Sequence, residues 1–256
     1  MILKEFKDSY FKRTKAAHAA GLTCGVALPV FAGELLKAVV VFFCGDDEER
    51  VGAIELWHTN PDKLPFMRLV DGYYGTAEMF EFNSRHTSFA RGFGLPGRVW
   101  KSNMPLIVKD MFNSQLFLRW KEAIQIGINS GLGIPYPHPS GEMRVVTFLS
   151  ARDTPIARRF EIWVPDEERK VLKFRSGDCD QNAQLANELA SCTIAKGDGT
   201  IGQVWLTAAP AVCANLANDR SIAAESAGAA QLDSMIAMPI LDGRRVKAIV
   251  AWYFKT

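Results

Sequence analysis

Along the chain, apolar and β-branched runs of four to nine residues recur between clusters of turn residues, the signature of strands. Such runs fall at 22–30 and 35–43, around the turn Ala32-Gly33-Glu34, and at 53–58 and 66–71, joined by Asn60-Pro61-Asp62. Further runs follow at 131–136, 143–149, 160–164, 171–174, 235–240 and 246–254. Helices are predicted over 9–21, with Ser9 as a cap and Gly21 as a stop, and over 115–127, 182–191 and 221–231, with a short one within 75–88. In 115–127 the spacing of Phe117, Trp120, Ile124 and Ile128 predicts one apolar helix face.

The stretch 89–110, FARGFGLPGRVWKSNMPLIVKD, organises the rest. Gly92, Gly94 and Gly97 around Pro96 read as a tight turn, followed by a short segment from Arg98 and the strand Leu106-Ile107-Val108. The shape returns as Gly199-Thr200-Ile201-Gly202-Gln203-Val204-Trp205, then Pro210 and Val212. Trp100 matches Trp205, and Pro105 matches Pro210, each 105 positions on. Phe11-Lys12-Arg13 matches Phe117-Leu118-Arg119, and Ala17 and Gly21 match Ala123 and Gly127. Pro29, Pro135 and Pro239 fall in Ala-Leu-Pro-Val, Gly-Ile-Pro-Tyr and Ala-Met-Pro-Ile. Ile54-Glu55-Leu56-Trp57 matches Phe160-Glu161-Ile162-Trp163. A unit of roughly a hundred residues, an ordinary domain size, is therefore repeated. The chain holds two front halves and three back halves, and residues 1–45 are a back half without a front half before it.

Composition narrows the function. With 256 residues, 48% of them hydrophobic and 23% charged, the chain can build two cores. A net charge of +2 gives no field suited to nucleic acid. The apolar runs are too short to span a bilayer, and the N-terminal fifteen residues mix acids and bases rather than forming an export signal. Five cysteines at irregular spacing suit a reducing cytoplasm.

The sequence resembles the GAF domain. The residues that carry the likeness are Gly94, Leu95, Pro96, Gly97, Arg98, Val99, Trp100, Pro105, Asp110, Phe117, Arg119, Ala123, Gly127, Ile134 and Pro135. The last repeat keeps Gly199, Ile201, Gly202, Val204, Trp205, Pro210 and Pro239, with Asn215 where Asp110 stood. The resemblance implies an α+β fold, with GAF-like domains each built on a central antiparallel sheet with helices packed on it. It also implies a sensor or scaffold module; one fold hosts many functions, so the ligand is not implied. GAF domains usually carry flanking helices over the back of the sheet, and the gaps 44–52 and 150–158 are too short for one. Two architectures follow. In the first, 1–45 is the C-terminal half of a GAF-like repeat, and 46–150 and 151–256 are GAF-like domains. In the second, a permuted pairing gives 1–113 and 114–215, with 216–256 left over. The first is preferred, because both its domains are complete in sequence order. Either leaves an unpaired sheet edge, a place for self-association.

The expected function is that of a non-enzymatic regulatory, sensory or scaffolding protein that binds a small molecule, a signalling protein partner or further copies of itself. The alternative is a cysteine-dependent redox enzyme, since one GAF-like group reduces free methionine sulfoxide. Cys179, Cys192 and Cys213 lie near the second central element, but their spacing does not match that enzyme, and free cysteines are commonly buried. No Cys-His pair suits a bilin, no cyclic-nucleotide signature is present, and no cluster has zinc-ligand spacing. The four histidines are scattered, and His86 beside Ser84 and Ser88 lacks a local carboxylate to orient it. The GxGxxG-like spacing at 92–97 contains a proline and has no evident helix after it, which argues against a phosphate cradle. No cofactor is specified. In the second repeat Phe89, Arg91, Trp100, Phe117, Trp120 and Ile124 are candidate pocket residues, though their bulk suits plain packing. In the third repeat the matching helix is nearly all alanine and serine. A ligand site is therefore expected there, around Cys192, Ile194, Val204, Trp205, Asn218 and Met235.

Overall fold

The computed structural model describes residues 2–7, 9–45, 52–59, 65–111, 117–137, 142–151, 153–179, 182 and 184–255. The N-terminal unit contains β1 (Ile2–Leu3), α1 (Thr14–Ala19), β2 (Leu22–Ala32) and β3 (Leu35–Gly45). A second unit runs β4 (Gly52–Thr59), β5 (Phe66–Tyr73), α2 (Glu78–His86), β6 (Ser88–Ala90), α3 (Gly94–Ser102), β7 (Leu106–Val108), α4 (Trp120–Gln125), β8 (Ser130–Pro137) and β9 (Met143–Ser150). A third runs β10 (Arg159–Asp166), β11 (Val171–Cys179), α5 (Leu185–Leu189), β12 (Thr193–Ala195), α6 (Gly199–Thr207), β13 (Ala211–Cys213), α7 (Ile222–Ala229), β14 (Ser234–Asp242) and β15 (Arg245–Phe254). The strand orders are β1-β2-β3, β6-β5-β4-β9-β8-β7 and β12-β11-β10-β15-β14-β13. The two larger sheets have one topology, all antiparallel, with short helices on one face, and the fold is α+β.

The predicted glycine turn at 92–97 is a correction. Gly94–Ser102 is a nine-residue helix, α3, and Gly199–Thr207 is its copy, α6. Pro96 sits in the first helical turn, where its missing N–H costs nothing. The repeat reaches into the backbone: Gly92 and Gly197 have φ of 92° and 89°, and Gly94 and Gly199 have 60° and 56°. Each helix closes on a left-handed residue, Asn103 in one copy and Ala208 in the other. Gly97 and Gly202 let the helix press on the preceding strand: a Cβ there would lie 2.1 Å from the Ala90 carbonyl oxygen and 2.5 Å from that of Ala195.

The predicted helix over 115–127 is also corrected. Among the described residues only 120–125 are helical, and residues 115 and 116 lie outside them. The buried residues are Phe117, Arg119, Ala123 and Ile128, whereas Trp120 is 41% exposed and Ile124 is exposed. Ala123 faces inward so closely that the helix turns its bulky residues outward. The helix over 9–21 shortens to Thr14–Ala19, because the Ser9 hydroxyl donates to the Phe6 carbonyl (2.8 Å) rather than capping it. The helices expected over 182–191 and 221–231 shorten to α5 and α7. The turn expected at 60–62 lies outside the described residues.

The backs of the sheets are covered by one another. The hairpins β2–β3, β8–β9 and β14–β15 share one register: Val26 lies opposite Phe42, Leu132 opposite Phe148 and Ile236 opposite Trp252. Their aromatic residues meet in a triangle, with ring centroids 5.3 Å apart for Phe42–Phe148, 5.6 Å for Phe42–Trp252 and 6.0 Å for Phe148–Trp252. Pro29, Pro135 and Pro239 line one small cavity of about 40 Å3. The three back halves thus surround a pseudo-threefold axis, and the core on it draws on all three units. Short connections suffice because no flanking helix is needed. Burying side chains of this size stabilises by roughly 1.5–3 kcal/mol each.

Candidate functional site

At the heart of each complete sheet lies one buried glutamate. Glu55 stands on β4 between the apolar residues Ile54 and Leu56 and is fully buried. Its carboxylate accepts from Trp57 Nε1 (2.9 Å), the Tyr74 hydroxyl (3.0 Å) and Thr147 Oγ1 (2.9 Å). Arg119 closes the site with a forked pair of bonds, 2.5 Å from Nη1 and 2.8 Å from Nη2, and also donates to Ser84 Oγ. Its guanidinium carbon lies 4.7 Å from the Phe80 ring centre, 5.2 Å from Trp57 and Phe117, and 5.7 Å from Phe89. The side chain therefore fills an aromatic cage from within. Burial pushes the Glu55 carboxyl up, but the Arg119 charge and the bonds from Arg119, Trp57 and Thr147 more than offset this, leaving it below its usual value. Burial and the Glu55 charge push the Tyr74 phenol up.

The third unit has the same glutamate and tryptophan with a different cation. Glu161 accepts from Trp163 Nε1 (2.7 Å), the Tyr253 hydroxyl (2.8 Å) and Arg159 Nε (2.6 Å), and also from Arg159 Nη2. Arg159 Nη2 also donates to Ser226 Oγ on α7 (3.2 Å). Arg159 Nη1 is buried with no hydrogen-bond partner among the described residues.

A change at α7 opens this unit to solvent. Matching α4 to α7 replaces Trp120, Glu122, Ile124 and Ile126 by Ala224, Ser226, Gly228 and Ala230. A cleft of about 430 Å3 runs between α5 and α7, with Asn182, Glu188, Leu189, Cys192, Ile222 and Ser226 along it. A second cleft, about 450 Å3, borders the other side of α7 near Asp219 and Leu232. Within the first, Asn182 Nδ2 donates to Glu188 Oε2 (2.8 Å) and the Cys192 thiol donates to the Glu188 carbonyl (3.4 Å). Ser226 touches both this cleft and Arg159, so it links the surface to the buried charges.

The other sequence candidates are dispersed. Ile194, Val204, Trp205 and Met235 are core residues of the third unit, and Asn218 is exposed at the end of the 3-10 turn Leu216–Asn218. Phe89 and Phe117 meet around Arg119, whereas Arg91 lies over Trp100 on the outer side of α3 (5.8 Å) and Trp120 points outward. Glu55, Arg119, Arg159 and Glu161 were given no functional role by sequence reasoning. The available signal was the acid kept two positions before a tryptophan in both repeats, Glu55 before Trp57 and Glu161 before Trp163. All five cysteines are free, and among the described residues no group of three His, Cys, Asp or Glu side chains could hold a metal. No helix among the described residues is long and apolar enough to cross a membrane.

Residues 151–256 match the GAF domain family model, and this segment is a GAF domain. Residues 52–150 are a GAF-like repeat of it, with the same strand order. No curated protein matches the chain. Among solved structures, similar folds include NreA from Staphylococcus aureus, mutated in its nitrate binding site: 15% identity, TM-score 0.33, 41% of this chain and 78% of that one. The GAF domain of a phosphoenolpyruvate-protein phosphotransferase from Acinetobacter has 13% identity and a TM-score of 0.32, over 41% of this chain and 59% of that one. Free methionine-R-sulfoxide reductase from Neisseria meningitidis, in complex with its substrate, has 17% identity and a TM-score of 0.32, over 40% of this chain and 55% of that one. These likenesses are too slight to carry an argument about ligand or activity. The GAF fold supports a sensory, ligand-binding or regulatory role in general.

Proposed function

We propose that the chain is a non-enzymatic regulatory protein of the cytoplasm whose C-terminal GAF domain holds a small polar molecule in the cleft between α5 and α7. One observation carries this reading: the cleft exists where small residues replace the bulky ones of the preceding repeat. Its polar groups select the guest. The Glu188 carboxylate and the Asn182 amide suit a ligand bearing an amine or hydroxyl, and Ser226 passes the contact to Arg159. Cys192 in the cleft and Cys213 on β13 are engaged with backbone carbonyls, of Glu188 and of Asn215 (3.2 Å), which favours binding over redox chemistry. Output then passes to a partner protein. Native mass spectrometry of the purified chain tests the reading. A bound small molecule is expected, and it should be lost in Ser226→Trp, which fills the cleft. A folded Ser226→Trp chain that keeps the same adduct would overturn it.

A further inference from the structure

Each hairpin around the pseudo-threefold axis ends in a strand whose outer edge needs a partner. In the two complete sheets the same element supplies it. β4 lies antiparallel on β9 with Ile54 opposite Phe148, and β10 on β15 with Phe160 opposite Trp252. The remaining strand, β3, ends its sheet, and among the described residues nothing pairs on its far side. The face that α3 covers in the second sheet is open here: Val39, Val41 and Phe43 are 49%, 42% and 39% exposed, whereas Val145 and Leu149, which match Val39 and Phe43, are fully buried in a core shared with Leu95 and Val99 of α3.

A cavity of about 280 Å3 lies at the C-terminal end of β3, with Phe42, Phe43, Cys44, Ile54, Tyr73 and Phe254 among its walls. It borders Phe42, as Ile54 borders Phe148 and Phe160 borders Trp252 in the other two sheets. The matching cation is Arg13, whose guanidinium carbon lies 6.0 Å from the Phe11 ring, itself 6.0 Å from the Phe43 ring. Arg13 precedes α1 as Arg119 precedes α4, and it is exposed. Arg119 is the residue that meets Glu55.

We propose that β3 accepts an extended strand from a partner protein. It runs antiparallel, seats a bulky apolar side chain in the cavity beside Phe42, and turns the next residue, a carboxylate, toward Arg13. The required pattern is apolar, acidic, apolar, aromatic, as in Ile54-Glu55-Leu56-Trp57 and Phe160-Glu161-Ile162-Trp163. A second copy of this chain does not offer it. Its β4 and β10 are held inside their own sheets, and its free strand, LLKAVVVFFCG, contains a lysine and no acid.

The probe is a fluorescein-labelled peptide of sequence GAIELWHT, added to the full chain. Saturable binding is expected, with slowed amide exchange along β3. A control peptide carrying Ile54→Asp, or a chain carrying Val41→Asp, should abolish it, and Arg13→Glu should weaken it about tenfold, the loss of one charge-assisted contact. Both chain positions are exposed, so folding should persist by circular dichroism; Val39→Asp replaces Val41→Asp if it does not. Absence of binding, or binding indifferent to the β3 variant, would overturn the proposal. So would a homodimer that Val41→Asp dissociates, because a second copy would then occupy the edge.

Discussion

Arg119 and Arg159 neutralise the same glutamate position from opposite elements of their domains. Arg119 reaches Glu55 from the start of α4, and Arg159 reaches Glu161 from two residues earlier on the same strand. Each copy has alanine where the other has arginine: Ala53 matches Arg159, and Ala223 matches Arg119, both fully buried or nearly so. The third unit has thus moved its cation from helix to strand. That leaves α7 without a bulky anchor and makes room for its clefts.

This exchange can be transplanted. Arg119→Ala strands a buried carboxylate and should lower stability by roughly 3–5 kcal/mol. Adding Ala53→Arg rebuilds the arrangement of the third unit and should recover part of the loss. Urea denaturation of the single and double variants measures both. A double variant no more stable than Arg119→Ala would show that the two arrangements are not interchangeable.

The same network sets the pH dependence. The Glu55 carboxyl lies below its usual 4.5 in the folded protein: burial raises it, and the Arg119 charge with the bonds from Arg119, Trp57 and Thr147 more than offsets that. A depressed folded pKa favours the folded state above the unfolded value. The contribution is complete above about 4.5 and fades as pH falls from there through the folded value. Tyr74 and Tyr253 act at the other end, raised by burial and by their neighbouring glutamates. Their contribution is complete below the ordinary tyrosine value of 10.0 and is lost as pH rises beyond it. Glu55→Gln should flatten the acid limb of a stability–pH curve, and Tyr74→Phe the alkaline limb.

Much of the fold was legible because strands declare themselves locally. The repeat aligned Pro29 with Pro135 and Pro239 from the sequence alone. Their convergence on one axis was not legible, since alignment says which residues correspond, not that they touch. The helix at 94–102 was missed because three glycines and a proline read as a turn. In the fold those glycines serve positive φ and close approach to β6, and the proline fits the first helical turn. Of the residues expected around a site in the third unit, Cys192 lines the cleft, whereas Ile194, Val204, Trp205 and Met235 are core residues. Arg159 was not legible, because its partner Glu161 is set by an orientation that spacing alone does not encode.

Gly97 and Gly202 give a sharp contrast with Gly228. An added methyl at Gly97 or Gly202 would strike a backbone carbonyl oxygen of the strand that the helix rests on. Backbone cannot yield as a side-chain tip can, so Gly97→Ala and Gly202→Ala should each cost about 3 kcal/mol. Gly228 lies in α7 with nothing within 4 Å of an added Cβ. Gly228→Ala should raise stability by roughly 0.5–1 kcal/mol through helix propensity. Thermal unfolding of the three variants decides; equal effects would contradict the packing of α3 and α6.

The aromatic triangle should govern cooperativity. Phe42 touches both Phe148 and Trp252, and is contributed by the N-terminal hairpin. Truncating it removes the ring that joins the three back halves and leaves a gap on the axis. Phe42→Ala should cost roughly 3–5 kcal/mol at most, less in proportion to its partial exposure. More tellingly, it should uncouple the units, because the backs of the two larger sheets rely on this shared core for cover. Calorimetry of the intact chain is expected to show one transition. In Phe42→Ala it should broaden or split, with calorimetric enthalpy exceeding the van't Hoff value. A single sharp transition at reduced temperature would mean that the two GAF-fold sheets hold together without the N-terminal hairpin.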